Sequence, residues 1–422
     1  MQRKTSDSRA RDNQGTGAIV VATAVAAVAV LVFHAIGSRS LGPDGFAPVA
    51  VLWTLMFLLH TVLLLPAEQH LTRALVVTRT PAQIAKVRRD MVLASLVALL
   101  IGVIFTATTL DRFFDGSTAY IAFIAAIVVN RSVMVTGRGL LAGHRRFAQY
   151  GATIALEAIA LLVGGVVVAA IDGTALAYGV VIALAPLATL LARPFARGNG
   201  GEDHHLDDAQ PGSFLAWLVA ATAASQLIIA GGPIAISFVG GDAAAVSVFF
   251  TSFALLRGPL TSAYNLVARV LPDFTALAHG EDPHQLWRWA PRIALGGSIA
   301  ALVGALGAGL LLRPIVDAIY GVEFSPPVFA AILGGAGVGL GLGALFAAQV
   351  YTAAGLGARL TFGWTSGLVA ALGVLALAGF DPVERVALAF AVGEGVGLVM
   401  LGLVLPLRLK ATGVTATVPA AD

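Results

Sequence analysis

Four basic residues, Arg257, Arg131, His60 and Arg73, lie inside or at the edge of apolar stretches, where a charge is costly. At 1.5 Å per helical residue, Arg257 falls about 20 Å into an apolar run over 244–265. Arg131 falls about 18 Å into a run over 119–137, beside the polar Asn130. An ionisable group at mid-bilayer costs at least ~2.5–3.5 kcal/mol, so the ones a chain keeps usually face a cavity or a partner. Together the four would line an electropositive chamber suited to an anion. Arginine matches phosphate or diphosphate through paired hydrogen bonds. Arg257 also precedes Gly258-Pro259, and a proline there bends a helix and frees backbone carbonyls.

Four further residues carry acid–base chemistry at similar depth: Glu68, Glu157, Glu394 and His34. A carboxylate or imidazole in a membrane can load and release a cation, so these are candidates for coupling transport to H⁺ or Na⁺. Simpler roles stand beside these. Arg131 and Glu157 fit a structural ion pair between neighbouring helices, Arg73 a membrane-edge anchor, and His34 a packing residue.

Positioning such groups requires helices in lipid. Of 422 residues, 58% are hydrophobic and only 12% charged, about half the ~25% usual in soluble proteins. The mean hydropathy is +0.88. So few charges cannot cover a soluble surface, and the absence of cysteine removes disulfides and thiolate chemistry. The net charge of +3 does not point to nucleic acid, because the basic residues follow membrane topology. Arginine outnumbers lysine 23 to 3 and Ala, Gly and Val dominate, which suggests a high-GC bacterial genome.

A bilayer core needs ~20 apolar residues per helix. The sequence predicts an all-α fold with twelve spans, roughly 17–36, 46–67, 91–110, 119–137, 148–171, 174–192, 214–238, 244–265, 292–312, 328–350, 360–379 and 384–407. With Arg3, Lys4, Arg9 and Arg11 on the cytoplasmic side, 20 of the 26 basic residues fall inside, as the positive-inside rule requires. Both termini are then cytoplasmic. The first span is too long for a signal-peptide core and no clean cleavage site follows it. Gly335, Gly339 and Gly343, four apart, read as a helix-packing face and not as a dinucleotide loop. Trp287-Arg288-Trp289 reads as an interfacial anchor or, alternatively, a docking patch for a partner.

The least apolar internal stretch, RPFARGNGGEDHHLDDAQPGS, separates two halves. The expected organisation is a tail over 1–16, an N-lobe over 17–192, a cytoplasmic linker over 193–213, a C-lobe over 214–407 and a tail over 408–422. Glu202, Asp203, His204, His205, Asp207 and Asp208 in the linker contain metal-ligand types, but a Gly-rich connector is the expected role. Leu41-Gly42-Pro43-Asp44 echoes Val239-Gly240-Gly241-Asp242 at an offset of 198, which sets His60 opposite Gly258 and suggests a parallel repeat. Transporters of that design bind substrate between the halves. External turns of at most about 15 residues, with no H-E-x-x-H and no Walker lysine motif, argue against an enzyme.

The chain resembles the polysaccharide-export branch of the multidrug/oligosaccharidyl-lipid/polysaccharide (MOP) flippase superfamily. The resemblance is carried by Leu41-Gly42-Pro43-Asp44-Gly45-Phe46, then Pro66-Ala67-Glu68-Gln69 and the stretch Arg138 to Gly151. Tyr320-Gly321-Val322-Glu323-Phe324, Gln349 and Thr352-Ala353-Ala354-Gly355 add to it. It implies two six-helix lobes forming a V and movement of a polyprenyl-diphosphate-linked oligosaccharide across the bacterial cytoplasmic membrane, with no cofactor. Expected partners are the lipid-linked glycan, the bilayer, a coupling H⁺ or Na⁺ and glycan-assembly enzymes. Arg257 fits the basic cavity of lipid-flipping relatives, and Gln349 joins the candidate substrate-binding set. His34 and His60 stand where some relatives have arginines. Alternatives are a cation-coupled multidrug antiporter of the same superfamily and a non-transporting scaffold for glycan assembly. A major-facilitator transporter would carry a G-x-x-x-D-R-x-G-R-R-like turn, which residues 73–90 lack.

Overall fold

Leucines and valines cover the outside of this chain. In the computed structural model, which describes residues 2–77, 81–196, 212–260, 263, 274, 277 and 284–406, Leu302, Leu306 and Leu310 on one helix are 68%, 70% and 74% exposed. Only a hydrocarbon solvent makes such a surface stable. Among the described residues, nine helices are long and apolar enough to cross a membrane, or ten if one bent pair is a single span. No strand occurs among the described residues. The protein is an all-α, multi-spanning membrane protein.

The chain forms two compact units, 1–209 and 210–422. In the first unit, α1 runs over Gln2–Leu59 and passes through a π-helical turn, His60–Leu64, into α2, Leu65–Val77. The two expected spans 17–36 and 46–67 therefore meet at a kink without a loop. Gly42, at φ 69° and ψ 174°, makes the break, and Pro43 after it has no amide hydrogen to continue the ladder. A side chain at Gly42 would meet nothing within 4 Å, so glycine is needed there for its left-handed backbone and not for space. The π-turn has a similar cause. Pro66 cannot donate to the carbonyl four residues back, and the Leu65 amide bonds the His60 carbonyl instead.

The rest of the first unit is α3 (Pro81–Thr108), the short α4 (Leu110–Phe113), α5 (Ala119–Gly143), α6 (Phe147–Ala170) and α7 (Ala175–Leu184). A 3-10 stretch, Ala185–Ala192, extends α7.

The second unit begins with α8 (Gly212–Ala230) and α9 (Gly232–Phe238). These share the expected seventh span but bend by 68° around Gly231. α10 (Ala243–Leu256) is capped by Asp242, whose carboxylate accepts from the Ala245 amide at 2.8 Å. It ends just before Arg257, so that residue sits at a helix break and not within a continuous span; Pro259 is the physical reason. α11 (His284–Ile319), α12 (Val328–Ala353), α13 (Gly357–Leu377) and α14 (Pro382–Val399) follow, with a π-turn over Met400–Val404. Gly335, Gly339 and Gly343 on α12 face α11: a Cβ on Gly343 would lie 2.8 Å from the Gly297 Cα. Backbones that close exclude any larger residue.

Candidate functional site

Arg131 and Arg138 are seven residues apart on α5, so both project from one face. α6 returns antiparallel after the turn at 144–146 and sets Glu157, Thr153 and Tyr150 against that face. Arg131 Nη2 donates to Glu157 Oε1 at 2.6 Å, and Arg138 Nη2 donates to Oε2 at 2.9 Å. Both pairs are buried, with side chains about 10% exposed. Arg138 Nε donates to Thr153 Oγ1 at 2.9 Å, and the Thr153 hydroxyl donates to the Tyr150 carbonyl at 2.6 Å. The Tyr150 hydroxyl then donates to Glu68 Oε1 at 2.9 Å, bringing in α2.

The network holds two guanidinium groups and two carboxylates. Glu157 neutralises one positive charge; Glu68, within electrostatic range of Arg138, balances the other only while ionised. His60, on the π-turn, lies within electrostatic range of both arginines. Its buried Nδ1 has no hydrogen-bond partner among the described residues. A cavity of about 350 Å³ opens beside Glu68 and Tyr150, lined also by Gln69 and Thr72. The arrangement can therefore carry a proton on Glu68 and change the net charge of a buried cluster by one.

Four of the residues singled out from sequence, His60, Glu68, Arg131 and Glu157, thus share one neighbourhood. Arg138, Tyr150 and Thr153 complete it and were not singled out. The seven-residue spacing of Arg131 and Arg138 is the available signal, masked because Arg138 falls just past the expected 119–137 span, among the basic residues on the cytoplasmic side. Asn130 donates from Nδ2 to the Ala183 carbonyl at 2.8 Å. His34 is buried among Phe33, Phe46 and Trp53, its ring centre 4.5 Å from that of Trp53. The Arg73 side chain and the acidic, histidine-containing linker 202–208 lie outside the described residues. Among the described residues no three His, Cys, Asp or Glu side chains group as a metal site.

In the second unit, Arg257 donates from Nε to the Phe253 carbonyl at 3.2 Å and lies within electrostatic range of Tyr320. Gln349 donates to the Leu345 carbonyl of its own helix at 3.0 Å. Glu394 on α14 is fully buried, its carboxyl 3.0 Å from the point a Cβ on Gly341 would occupy. Neither of its carboxyl oxygens has a hydrogen-bond partner among the described residues.

This helical arrangement has counterparts among solved structures. The lipid II flippase MurJ in an inward closed conformation aligns over 94% of this chain and 87% of its own, at 12% identity and a TM-score of 0.63. A MATE structure in a bent conformation aligns over 97% and 98%, at 13% identity and 0.60. A MOP superfamily transporter from Pyrococcus furiosus aligns over 96% of each chain, at 14% identity and 0.59. The fold is that of the MOP transporters. No family model matches the sequence, and neither does any curated protein. The polysaccharide-export branch is therefore a finer statement than the MOP fold supplies. The counterparts include a lipid II flippase, MATE structures and a MOP superfamily transporter.

Proposed function

We propose that this protein is a bacterial cytoplasmic-membrane flippase that moves a polyprenyl-diphosphate-linked oligosaccharide, or a similar polysaccharide precursor, by alternating access. Both termini lie in the cytoplasm in this reading. The observation that carries it is the likeness to a lipid II flippase over 94% of the chain, joined to arginines kept at membrane depth. Arg257 is assigned to the diphosphate, with Arg73, His60, Asn130 and Gln349 as further substrate contacts. Arg131 is better used as the partner of Glu157, since both groups are already paired. Glu68 and Glu394 are assigned to the coupling cation, H⁺ or Na⁺.

A second reading, a cation-coupled multidrug antiporter, draws support from the MATE counterparts and from the Glu394 carboxyl, which has no hydrogen-bond partner among the described residues. Against it, organic cations favour carboxylates and aromatic faces over arginine. Proteoliposomes separate the two. A fluorescent polyprenyl-diphosphate oligosaccharide should cross the bilayer in the presence of the wild-type protein, and an organic cation should not. The reverse result would favour the antiporter. Translocation of neither would leave the scaffold role.

A further inference from the structure

The second unit carries a groove of about 570 Å³ between the interfacial half of α11 and α12. Trp289, Ile293, Gly296 and Ala300 of α11 form one wall; Leu342 and Phe346 of α12 form another. Its lining is apolar throughout. From Trp289 to Ala300 the groove runs ~16 Å along the helix, about half of the ~30 Å hydrocarbon core. That is the depth of one leaflet.

Two adjacent glycines have different jobs here. Gly297 is held against Gly343 of α12, where a Cβ would meet backbone at 2.8 Å. Among the described residues nothing lies within 4 Å of the point a Cβ on Gly296 would occupy. The first glycine serves helix packing; the second leaves a gap in the α11 wall of the groove. An apolar groove of this kind favours a hydrocarbon chain over water.

The mouth is cationic. Arg288 and Arg292, one helical turn apart, are both exposed. The Arg292 guanidinium carbon stands 5.7 Å from the centre of the Trp289 ring that lines the groove. Trp289 is itself 42% exposed, and tryptophan beside arginine is the usual composition of the headgroup level. Trp289 lines the groove, Arg292 stands against its ring and Arg288 lies one turn earlier on α11; cations beside an apolar groove of one-leaflet length fit a molecule with an anionic head and a single chain of matching depth.

We propose that this groove is a binding site for an anionic bilayer phospholipid, one chain lying along Gly296 and the phosphate on Arg288 and Arg292. The site belongs to a different unit from the Arg131–Glu157–Arg138 cluster, and it stands whether or not the flippase reading holds.

Native mass spectrometry of the full chain, released from a neutral detergent, tests it with phosphatidylglycerol and phosphatidylcholine of identical chains. The wild type should retain phosphatidylglycerol about tenfold over phosphatidylcholine, the preference expected of two interfacial arginines. The double variant Arg288→Gln/Arg292→Gln should erase the difference between the two lipids. Gly296→Phe should fill the groove and remove the retained lipid, because its side chain has room to enter. Equal retention of the two lipids by the wild type overturns the proposal, as does an unchanged preference in the double variant. Unchanged retention in a monodisperse Gly296→Phe protein overturns it as well. If Gly296→Phe does not fold, the double variant, altered only at exposed positions, decides alone. Displacement of phosphatidylglycerol by an equimolar polyprenyl diphosphate would assign the groove to that lipid and overturn its assignment to a bilayer phospholipid.

Discussion

Glu157 receives Arg131 on one carboxyl oxygen at 2.6 Å and keeps its other oxygen for Arg138 at 2.9 Å. One carboxylate thus fastens two turns of α5 to α6. Removing it would leave two buried guanidinium groups with Glu68 as the one remaining carboxylate in the network. Breaking a buried pair by deleting one partner costs about 3–5 kcal/mol, whereas replacing the whole pair with apolar groups of similar volume is often neutral. Glu157→Gln should therefore lower the thermal midpoint sharply. Replacing all three groups, Arg131→Met, Arg138→Met and Glu157→Met together, should recover much of the loss. Thermal unfolding of the wild type, Glu157→Gln and the triple variant in one detergent checks this, and equal losses in the two variants would contradict it.

Tyr150 and Glu68 extend the same network to a cavity, which gives them a different expected behaviour. Tyr150→Phe removes one hydrogen bond from a carboxylate and should cost about 1.5–3 kcal/mol at most. Glu68→Gln keeps an acceptor for the Tyr150 hydroxyl, so the fold should survive. What it removes is the group whose ionisation balances Arg138. Under the flippase reading, Glu68→Gln should abolish the response of transport to an imposed proton gradient and leave gradient-free exchange. Parallel measurements of driven uptake and counterflow in proteoliposomes distinguish that from a general loss of activity.

Helix packing in the second unit makes a sharper stability prediction. Gly339 lies directly on the backbone of Ala300 and Ala301, while Gly307 has open space around it. Gly339→Ala forces backbones apart and should destabilise by about 1–3 kcal/mol. Gly307→Ala adds a methyl group on the open side of α11 and should be neutral or stabilising by up to ~1 kcal/mol through helix propensity. Opposite shifts in thermal midpoint for these two identical substitutions are expected.

The spans were legible in the sequence because each is a run of apolar residues long enough for a bilayer, and every one of the twelve stretches carries helix among the described residues. Their interruptions were harder to read. Gly42-Pro43 joins two helices at a kink, and Gly231 bends a third, because these breaks depend on single backbone positions that leave overall hydropathy unchanged. The candidate site was half visible for the same reason. Arg131 and Glu157 stand out as charges in apolar runs. Arg138 lies near the expected end of its span and reads as a cytoplasmic anchor. α5 in fact continues to Gly143, and Arg138 is 8% exposed. That Glu394 has no hydrogen-bond partner among the described residues could not be read at all, since it depends on the approach of Gly341 from another helix.

Arg257 carries the diphosphate contact in the proposed function. It stands at the end of α10, where Pro259 interrupts the helix, and its Nε donates to the Phe253 carbonyl. A guanidinium anchored through Nε holds its two terminal nitrogens in a fixed plane, the geometry that pairs with two phosphate oxygens. A diphosphate offers more such oxygens than a monophosphate, so binding should discriminate between the two headgroups. Native mass spectrometry with a polyprenyl diphosphate and its monophosphate should show diphosphate preference in the wild type, and Arg257→Ala should remove it. Arg257→Lys keeps the charge without the planar fork and should bind with less selectivity. If Arg257→Ala binds both lipids as the wild type does, the residue serves only the break in α10, and the antiporter reading gains accordingly.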